Sequence, residues 1–468
     1  MSHLRAKIKD FAQKHHGCAC AADPTAFGPH LVPHVSQCRL LYNKEVKPIK
    51  IIAFFVLIYA SLLLTACGDG GEAVPVFQPE ISVVQAGAAT TPEILTFDLN
   101  IEVQEFQLAR HEPTAGAFIG AHISHDAAFE SIRAFESEIG VEHAIFAYKM
   151  KLGDEYPVRW VLENLAAGKA PFITLMPPDD ISLLNTHSLM DILQNFAAEA
   201  GRFNMPIFVE LFPMLSHHGF SPHDYISFFQ TSRTVFDYYA PNVALVWGFD
   251  AENLAESAHF YPGRDSVDWI HLKVYNNIDV DGAYGDLFNY IDFFYFAYQQ
   301  ERPLMVSFGV SHHAADSNRY FIREAAEKIE YIYGRLVDYP RIKAVIYRSY
   351  NEPGGGKFGL RGADAIMTAY VQAASSAYFL GFVSNFQTPR QDVQVMRSPF
   401  RAVMRDGYYY IPKRALVYDA RFLPKHFEDL EGLETEIGGD IFFSMAHLNR
   451  IMGVDFFVDM QRQTLTLR

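Results

Sequence analysis

Short apolar segments alternate with longer amphipathic ones between about residues 106 and 385. This alternation predicts strand–helix units around a parallel sheet, whose strands are buried on both faces. Eight segments are predicted strands: GAFIGAHI from Gly116, HAIFAYK from His143, PFITLM from Pro171, PIFVELF from Pro206, VALVWGF from Val243, WIHLKVY from Trp269, PLMVSFG from Pro303 and AVIYRSY from Ala344. Eight such units predict a (β/α)8 TIM barrel of the α/β class. The alternative is an open doubly wound sheet, but no Gly-rich phosphate loop follows the first strand.

Residues 391–468 have a different pattern, with short alternating segments and turn residues. We expect a small, mostly β domain there, with one short helix near Met445 to Met452. This domain is too small for an obvious active site of its own. Any chemistry is therefore expected at the carboxyl ends of the barrel strands.

An apolar run from Ile51 to Leu64 follows three lysines and leads into Leu-Thr-Ala-Cys, which ends at Cys67. A charged start and an apolar run of this length are typical of an export signal. The final residues resemble a bacterial lipobox. We therefore expect residues 46–67 to be a lipoprotein signal peptide, with a lipid at Cys67 that anchors the protein on the extracytoplasmic face of the bacterial cell membrane.

The segments on either side of this signal have no sustained hydrophobic period. Residues 1–45 are expected to be a mis-called start or an unstructured extension, because translation from near Val46 would place the signal at the N-terminus. A metal site at the stretch HHGCAC is the alternative. Residues 68–105 are rich in Pro, Ala, Thr and Glu and are expected to be a flexible tether to the barrel, residues 106–385.

Composition narrows the function further. No cysteine follows Cys67, so the remaining chain is expected to depend on an ordinary hydrophobic core. Half of all residues are hydrophobic, 39 are Phe and 25 are Tyr, and the formal net charge is −15. This acidic balance argues against nucleic acid as a partner.

The barrel region resembles glycoside hydrolase family 26, a family of β-mannanases and related β-glycanases on TIM barrels. The resemblance rests on GAFIG in the first strand, on SPHDYISFFQTSRTVFDYYAPNVALVWGFD up to the fifth strand and, most specifically, on FYPGRDSVDWIHLKVY in the sixth. It covers about 280 residues. It implies a retaining glycosidase, in which one carboxyl group is the acid/base and a second is the nucleophile.

Neither glutamate that the resemblance implies is present. An alignment on Pro206 puts Met214 at the acid/base position, and an alignment on Pro303 puts Ser307 at the nucleophile position. A thioether cannot donate a proton, and a serine attacks only with a base beside it. The resemblance therefore predicts a barrel that no longer performs the reaction of the family.

Three other carboxylates could substitute for the missing pair: Glu210, Asp250 and Glu352. Glu210 is also explained as a barrel-interior carboxylate paired with a basic residue such as Arg348. Glu352 is also explained as a solvated charge on a Pro/Gly loop. Whether the protein is an enzyme therefore stays open at this point.

Polar and aromatic residues near the strand ends are candidates for sugar binding: His122, His217, His218, Trp247, Tyr261, Tyr275 and His312. Aromatic faces stack on pyranose rings, although Trp247 equally fits the barrel wall. We expect no metal and no cofactor, because the adjacent histidines point in different directions and no carboxylate–histidine helix motif accompanies them.

The C-terminal region resembles the copper amine oxidase N-terminal-like domain. The resemblance rests on RDGYYYIPKRALVYDARF, GDIFFSMAHLNRIMGVDFFVD and the terminal TLTLR. It implies a wall-binding or partner-binding appendage, and a cap packed on the barrel is the alternative. His426 and His447 are its only histidines and it has no cysteine, too few ligands for copper.

These observations predict a lipid-anchored envelope protein with a catalytically degenerate barrel that binds a polysaccharide or another cell-envelope component. One alternative is an active glycoside hydrolase of the β-mannanase or β-glucanase class that uses relocated carboxylates. The other is a structural or interaction protein of the envelope without a sugar site.

Overall fold

The structure, a computed structural model, describes residues 94–123, 131–178, 185–213, 221–351, 355–383 and 391–468. The predicted signal peptide and its Cys67 lie outside the described residues. The first described element is strand β1 (Leu95–Gln107), and the barrel follows it.

Eight parallel strands close into a barrel, which confirms the predicted fold class. They are β2 (Ala117–His122), β3 (Ile145–Lys151), β4 (Ala170–Met176), β5 (Ile207–Leu211), β6 (Val243–Asp250), β7 (Trp269–Asn276), β8 (Leu304–Val310) and β11 (Ile342–Arg348). Each strand pairs with the next along the barrel, and β11 pairs with β2 to close the sheet. Three short strands lie outside the barrel. Strands β9 (His313–Ala314) and β10 (Arg319–Tyr320) form a hairpin, and β12 (Phe379–Leu380) pairs with β2.

Helices lie between the strands. Those of the barrel are α1 (Ile132–Ile139), α2 (Val158–Ala166), α3 (His187–Gly201), α4 (Pro222–Tyr239), α5 (Ser257–Phe260), α6 (Phe288–Tyr298), α7 (Ile322–Leu336) and α8 (Asp364–Ala374). Local sequence sets their ends. Helix α4 begins where the Ser221 side chain accepts a hydrogen bond from the Asp224 backbone N–H, with Pro222 in the first turn.

Two layers of apolar side chains hold the barrel together. All five residues of β5 are buried, as expected for a strand covered on both faces. The barrel interior contains Phe172, Phe208, Trp269 and Met305, while a larger layer fills the space between strands and helices. The indole of Trp269 donates a 2.8 Å hydrogen bond to the Arg110 carbonyl, which ties the segment before β2 to the barrel.

A seven-stranded mixed sheet follows the barrel. Its strands are β13 (Gln391–Arg405), β14 (Tyr408–Pro412), β15 (Glu434–Ile437), β16 (Asp440–Ser444), β17 (Phe456–Asp459), β18 (Thr464–Leu467) and the N-terminal β1. Helices α9 (Lys413–Tyr418) and α10 (Met445–Met452) pack with them, and α10 has the predicted bounds.

Strand β1 corrects one expectation. Residues 95–105 were expected to belong to the flexible tether, yet they form most of a central strand of this sheet, antiparallel to β13 and parallel to β18. Phe97, Leu99 and Ile101 fill the core of the sheet. The pairing partners lie about 300 residues further along the chain, so no local pattern marks them. In the ranges described, no helix is both long enough and apolar enough to cross a membrane.

Candidate functional site

A cleft of about 190 Å³ opens at the mouth of the barrel, where the carboxyl ends of the strands meet. Aromatic rings form part of its wall: His122, Tyr148, Tyr275 and Tyr350. All four are half-buried, so each keeps surface that a ligand can contact. His122 packs edge-on against Tyr350 with ring centroids 4.8 Å apart. The predicted sites His122 and Tyr275 therefore both lie in the cleft.

Charged side chains form another part of the wall: Lys149, Asp250, Lys273 and Arg348. The guanidinium of Arg348 lies 4.4 Å from the ring centroid of Tyr275 and 4.3 Å from that of Tyr350. Such cation–π contacts fix the two rings in place. The cleft therefore combines aromatic surface with groups that bind hydroxyl or carbonyl oxygens.

Glu210 lies behind this wall and is fully buried. Its Oε1 accepts hydrogen bonds from Lys273 Nζ at 2.9 Å and His271 Nδ1 at 2.8 Å, and its Oε2 accepts one from Thr174 Oγ1 at 2.8 Å. Burial opposes ionisation, but the charge of Lys273 and the bonds from both neighbours outweigh it and hold the pKa of Glu210 below its ordinary value. An interior ion pair is therefore present, with Lys273 as the basic partner.

Ser307 stands on β8 and lines the cleft. Its Oγ lies 2.7 Å from Nε2 of His271. The base that a reactive serine requires is therefore present, since a histidine on the adjacent strand is in hydrogen-bond contact with Ser307. Sequence reasoning missed His271 because WIHLKVY was interpreted only as a strand. Its alternating polar residues His271, Lys273 and Tyr275 were the available signal, since alternate residues face the barrel interior.

Asp250 ends β6 and is the only carboxylate among the described residues that line the cleft. Its carboxylate lies 4.0 Å from Lys273 Nζ, and 35% of the side chain is exposed. Burial raises the pKa of Asp250, with the Lys273 charge opposing that rise.

Two predicted sugar-stacking residues lie elsewhere. Trp247 is fully buried in the layer between strands and helices, where its ring packs 5.0 Å from Tyr261 and 5.5 Å from Tyr298. Tyr261 belongs to the same layer. The prediction that they contact sugar is wrong, because their side chains face away from the barrel interior.

His312 also lies outside the cleft wall. It is 6% exposed and packs beside Tyr320 with ring centroids 6.1 Å apart. Burial and the charge of Lys357 lower the pKa of His312 to about 4. The remaining predicted positions, Met214, His217, His218 and Glu352, fall outside the described residues. Among the residues described, no group of three or more His, Cys, Asp or Glu side chains could hold a metal ion.

No family model and no curated protein matches this chain. Several solved structures are similar to it. A glycoside hydrolase family 26 β-mannanase from Bacteroides ovatus has 14% identity and a TM-score of 0.43, over 58% of this chain and 92% of that one. A modular endo-β-1,4-mannanase from Cellulomonas fimi has 13% identity and a TM-score of 0.45, over 72% and 93%. The YdhT protein from Bacillus subtilis has 13% identity and a TM-score of 0.39, over 59% and 95%.

Proposed function

We propose that this chain is a lipid-anchored protein of the bacterial cell envelope whose barrel cleft binds a polysaccharide or another envelope component. We further propose that it does not cleave glycosidic bonds by the two-carboxylate mechanism of family 26. The observation that carries the proposal is a cleft with half-buried tyrosines and charged groups, in which a serine occupies the predicted nucleophile position.

The lining of the cleft supports binding. Ligand sites are concave and combine apolar surface with a few well-placed polar groups. Tyr148, Tyr275 and Tyr350 supply faces on which a sugar ring can stack, and Lys149 and Arg348 supply donors for hydroxyl oxygens. An interaction protein without a sugar site would be expected to fill this mouth with its own side chains.

The carboxylates argue against glycosidase activity. A retaining enzyme needs two of them roughly 5–5.5 Å apart on either side of the scissile bond. Within the described part of the cleft wall, Asp250 stands alone. Glu210 is buried behind the wall and is already bound to donors through both oxygens.

Anchoring at Cys67 rests on the sequence pattern. A lipid with at least two acyl chains on Cys67 would hold the chain at the extracytoplasmic membrane face, where cell-envelope polysaccharide is within reach, because one acyl chain alone binds a membrane only marginally. The full-length chain, expressed in a Gram-positive bacterial host, should fractionate with membranes, and Cys67→Ser should release it into the soluble fraction. Equal membrane retention of both would contradict lipid anchoring at this residue.

Binding is tested with the purified full-length chain by affinity electrophoresis in gels containing mannan, mixed-linkage glucan, xylan or peptidoglycan fragments, with reducing-end release measured in parallel. At least one polymer should retard the protein without release of reducing ends. Tyr350→Ala should weaken retardation roughly 2- to 12-fold, equivalent to about 0.5–1.5 kcal/mol of stacking. Tyr238→Ala is the matched control, because this tyrosine is 79% exposed on the outside of α4. Release of reducing ends from any polymer, or no retardation by any of them, would overturn the proposal.

A further inference from the structure

Three side chains from three barrel strands form a continuous hydrogen-bonded chain. Ser307 Oγ on β8 lies 2.7 Å from Nε2 of His271 on β7, and Nδ1 of His271 lies 2.8 Å from Oε1 of Glu210 on β5. Nucleophile, base and orienting carboxylate are linked in this order in serine hydrolases, and the arrangement recurs on unrelated folds.

The order of burial fits the same roles. Ser307, 7% exposed, and His271, 1% exposed, both line the cleft, and the serine is the more accessible of the two. Glu210 has no exposed surface. The hydroxyl therefore meets the ligand, and the carboxylate acts only through the histidine.

Protonation is fixed by the contacts. Ionised Glu210 can only accept hydrogen bonds, so His271 Nδ1 carries the proton and donates it to Glu210. Nε2 then has a lone pair that accepts a hydrogen bond from the Ser307 hydroxyl. Burial lowers the pKa of His271, with Glu210 opposing that shift and Lys273 adding to it, so the ring is neutral at neutral pH and can accept a proton.

A glycine makes the Glu210 contact possible. Glu210 on β5 is in register with Val246 on β6, and His271 on β7 is in register with Gly248, so the Glu210 carboxylate passes over Gly248 to reach His271. A Cβ atom at Gly248 would lie 1.8 Å from Glu210 Oε1. The backbone of Gly248 has no left-handed φ that would itself require glycine. The missing side chain is therefore explained by the space that the carboxylate occupies.

We propose that Ser307 is a catalytic nucleophile that hydrolyses carboxylic esters on the hydroxyl groups of a bound polysaccharide, with His271 as general base and Glu210 as the positioning residue. This inference rests on the proposed function, because the bound glycan supplies the alcohol part of the ester. The part of the cleft beside Ser307, with a volume of about 190 Å³, has room for a short acyl group such as acetyl.

The reaction consumes one water molecule. Ser307 Oγ bonds to the carbonyl carbon while its proton passes to His271 Nε2. The carbon–oxygen bond to the sugar breaks, and the sugar oxygen takes the proton from His271. Water then attacks the acyl-serine and gives a proton to His271. Ser307 Oγ leaves with that proton, and the carboxylic acid is released.

The charges of the cleft favour an ester over a glycosidic bond. Attack on a carbonyl places negative charge on its oxygen, which cationic donors stabilise. Lys273 is the register partner of Ser307 on the neighbouring strand, and both line the cleft. Cleavage of a glycoside would instead build positive charge on the sugar ring, beside Lys273 and Arg348.

The serine is tested first, with a fluorophosphonate probe on the purified full-length chain and mass spectrometry of its peptides. We expect an adduct on Ser307 that is lost in Ser307→Ala and His271→Gln. Ser232→Ala is the matched control, because this buried serine on α4 donates only to the Phe228 carbonyl of its own helix. Thermal melts verify that each variant is folded. A folded wild type without an adduct on Ser307 would overturn the inference.

The ester is tested by acetate release from acetylated mannan and acetylated xylan. Ser307→Ala should lower kcat by about 10³-fold or more while it still binds the deacetylated polymer. Acetate release that survives this substitution would overturn the inference. Glycan binding without an adduct on Ser307 would contradict the inference but would still support the proposed function. An adduct without glycan binding would overturn the proposed function and the glycan ester, and would support the nucleophilic serine.

Discussion

The ammonium of Lys273 lies 2.9 Å from Oε1 of Glu210, where the carboxylate side chain is 0% exposed and the lysine side chain 13%. Two opposite charges in such a place stabilise the fold only together, because each alone leaves the other buried without compensation. Glu210→Ala should therefore lower the free energy of unfolding by about 3–5 kcal/mol, measured by urea denaturation. The double variant Glu210→Leu/Lys273→Met should recover most of this loss. A single-variant loss below about 1 kcal/mol would mean that water reaches the pair.

The same carboxylate makes stability depend on pH. The folded pKa of Glu210 lies below its ordinary value, so its contribution is fully present above the unfolded pKa of about 4.3 and is lost as pH falls through the folded pKa. Wild-type stability should therefore fall on acidification below about pH 4.3, and Glu210→Gln should fall less steeply. Glu327→Gln, at an exposed position on α7, should keep the wild-type slope. If the free energy of unfolding depended on pH with the same slope in all three chains, Glu210 would not be the cause of the pH dependence.

Gly248→Ala tests whether the gap on β6 positions the carboxylate. A methyl group would overlap Glu210 Oε1 and push it away from His271. We expect a loss of about 1–3 kcal/mol in unfolding free energy, with loss of fluorophosphonate labelling at Ser307. Gly334→Ala on α7 is the control, since a Cβ there meets nothing within 4 Å and alanine should stabilise the helix by about 0.5–1 kcal/mol. Unchanged labelling in Gly248→Ala would show that Glu210 does not position His271.

The strands could be predicted from sequence because buried parallel strands are mostly apolar. All eight predicted strands lie within two residues of the observed ones at their N-terminal ends. Strand β1 could not be assigned to its sheet in this way, because it pairs with residues near the other end of the chain.

The sequence predicted two of the three residues of the hydrogen-bonded chain and missed the third. Glu210 and Ser307 were identified separately, Glu210 as a substitute carboxylate and Ser307 by alignment with the nucleophile position of the family that the barrel resembles. Their connection depends on which side chains share the barrel interior and on a glycine between two strands, and neither is a property of one segment. His271 was hidden for this reason, since an isolated histidine in an apolar strand carries no sign of its partners.

The pH profile of acetate release should report His271. Its pKa is held below 6.5, so kcat/KM should stay high below that pH and fall only when the ring gains a proton. The charged groups around it are Glu210, which raises its pKa, and Lys273, which lowers it and itself lies 4.0 Å from Asp250. Lys273→Met should therefore move the acidic limb to higher pH, whatever it does to kcat. Lys149→Met, in the same cleft, should leave the limb in place. A limb that Lys273→Met does not move would exclude His271 as the titrating base.

A second buried ion pair should couple the barrel to the C-terminal sheet. Arg341, directly before β11, donates to Glu112 Oε1 from Nη1, and both side chains are 0% exposed. The same Nη1 donates to Gln394 Oε1 on β13 at 3.1 Å, and Nε donates to the Gln299 carbonyl at 3.1 Å. Barrel, N-terminal segment and sheet therefore meet at one guanidinium.

Arg341→Met should lower the free energy of unfolding by about 3–5 kcal/mol, because it strands the Glu112 carboxylate in the interior. Adding Glu112→Leu should restore much of this. Arg414→Met is the comparison: its pair with Asp440 is 63% and 49% exposed, so its loss should cost less than about 1 kcal/mol. Because Arg341 also contacts β13, we expect the single urea transition of the wild type to become two transitions in Arg341→Met. Tryptophan fluorescence monitors unfolding of the barrel, which contains Trp160, Trp247 and Trp269. Far-UV circular dichroism monitors unfolding of the whole chain. Coincident transitions in the variant would show that the other contacts between barrel and sheet suffice to couple them.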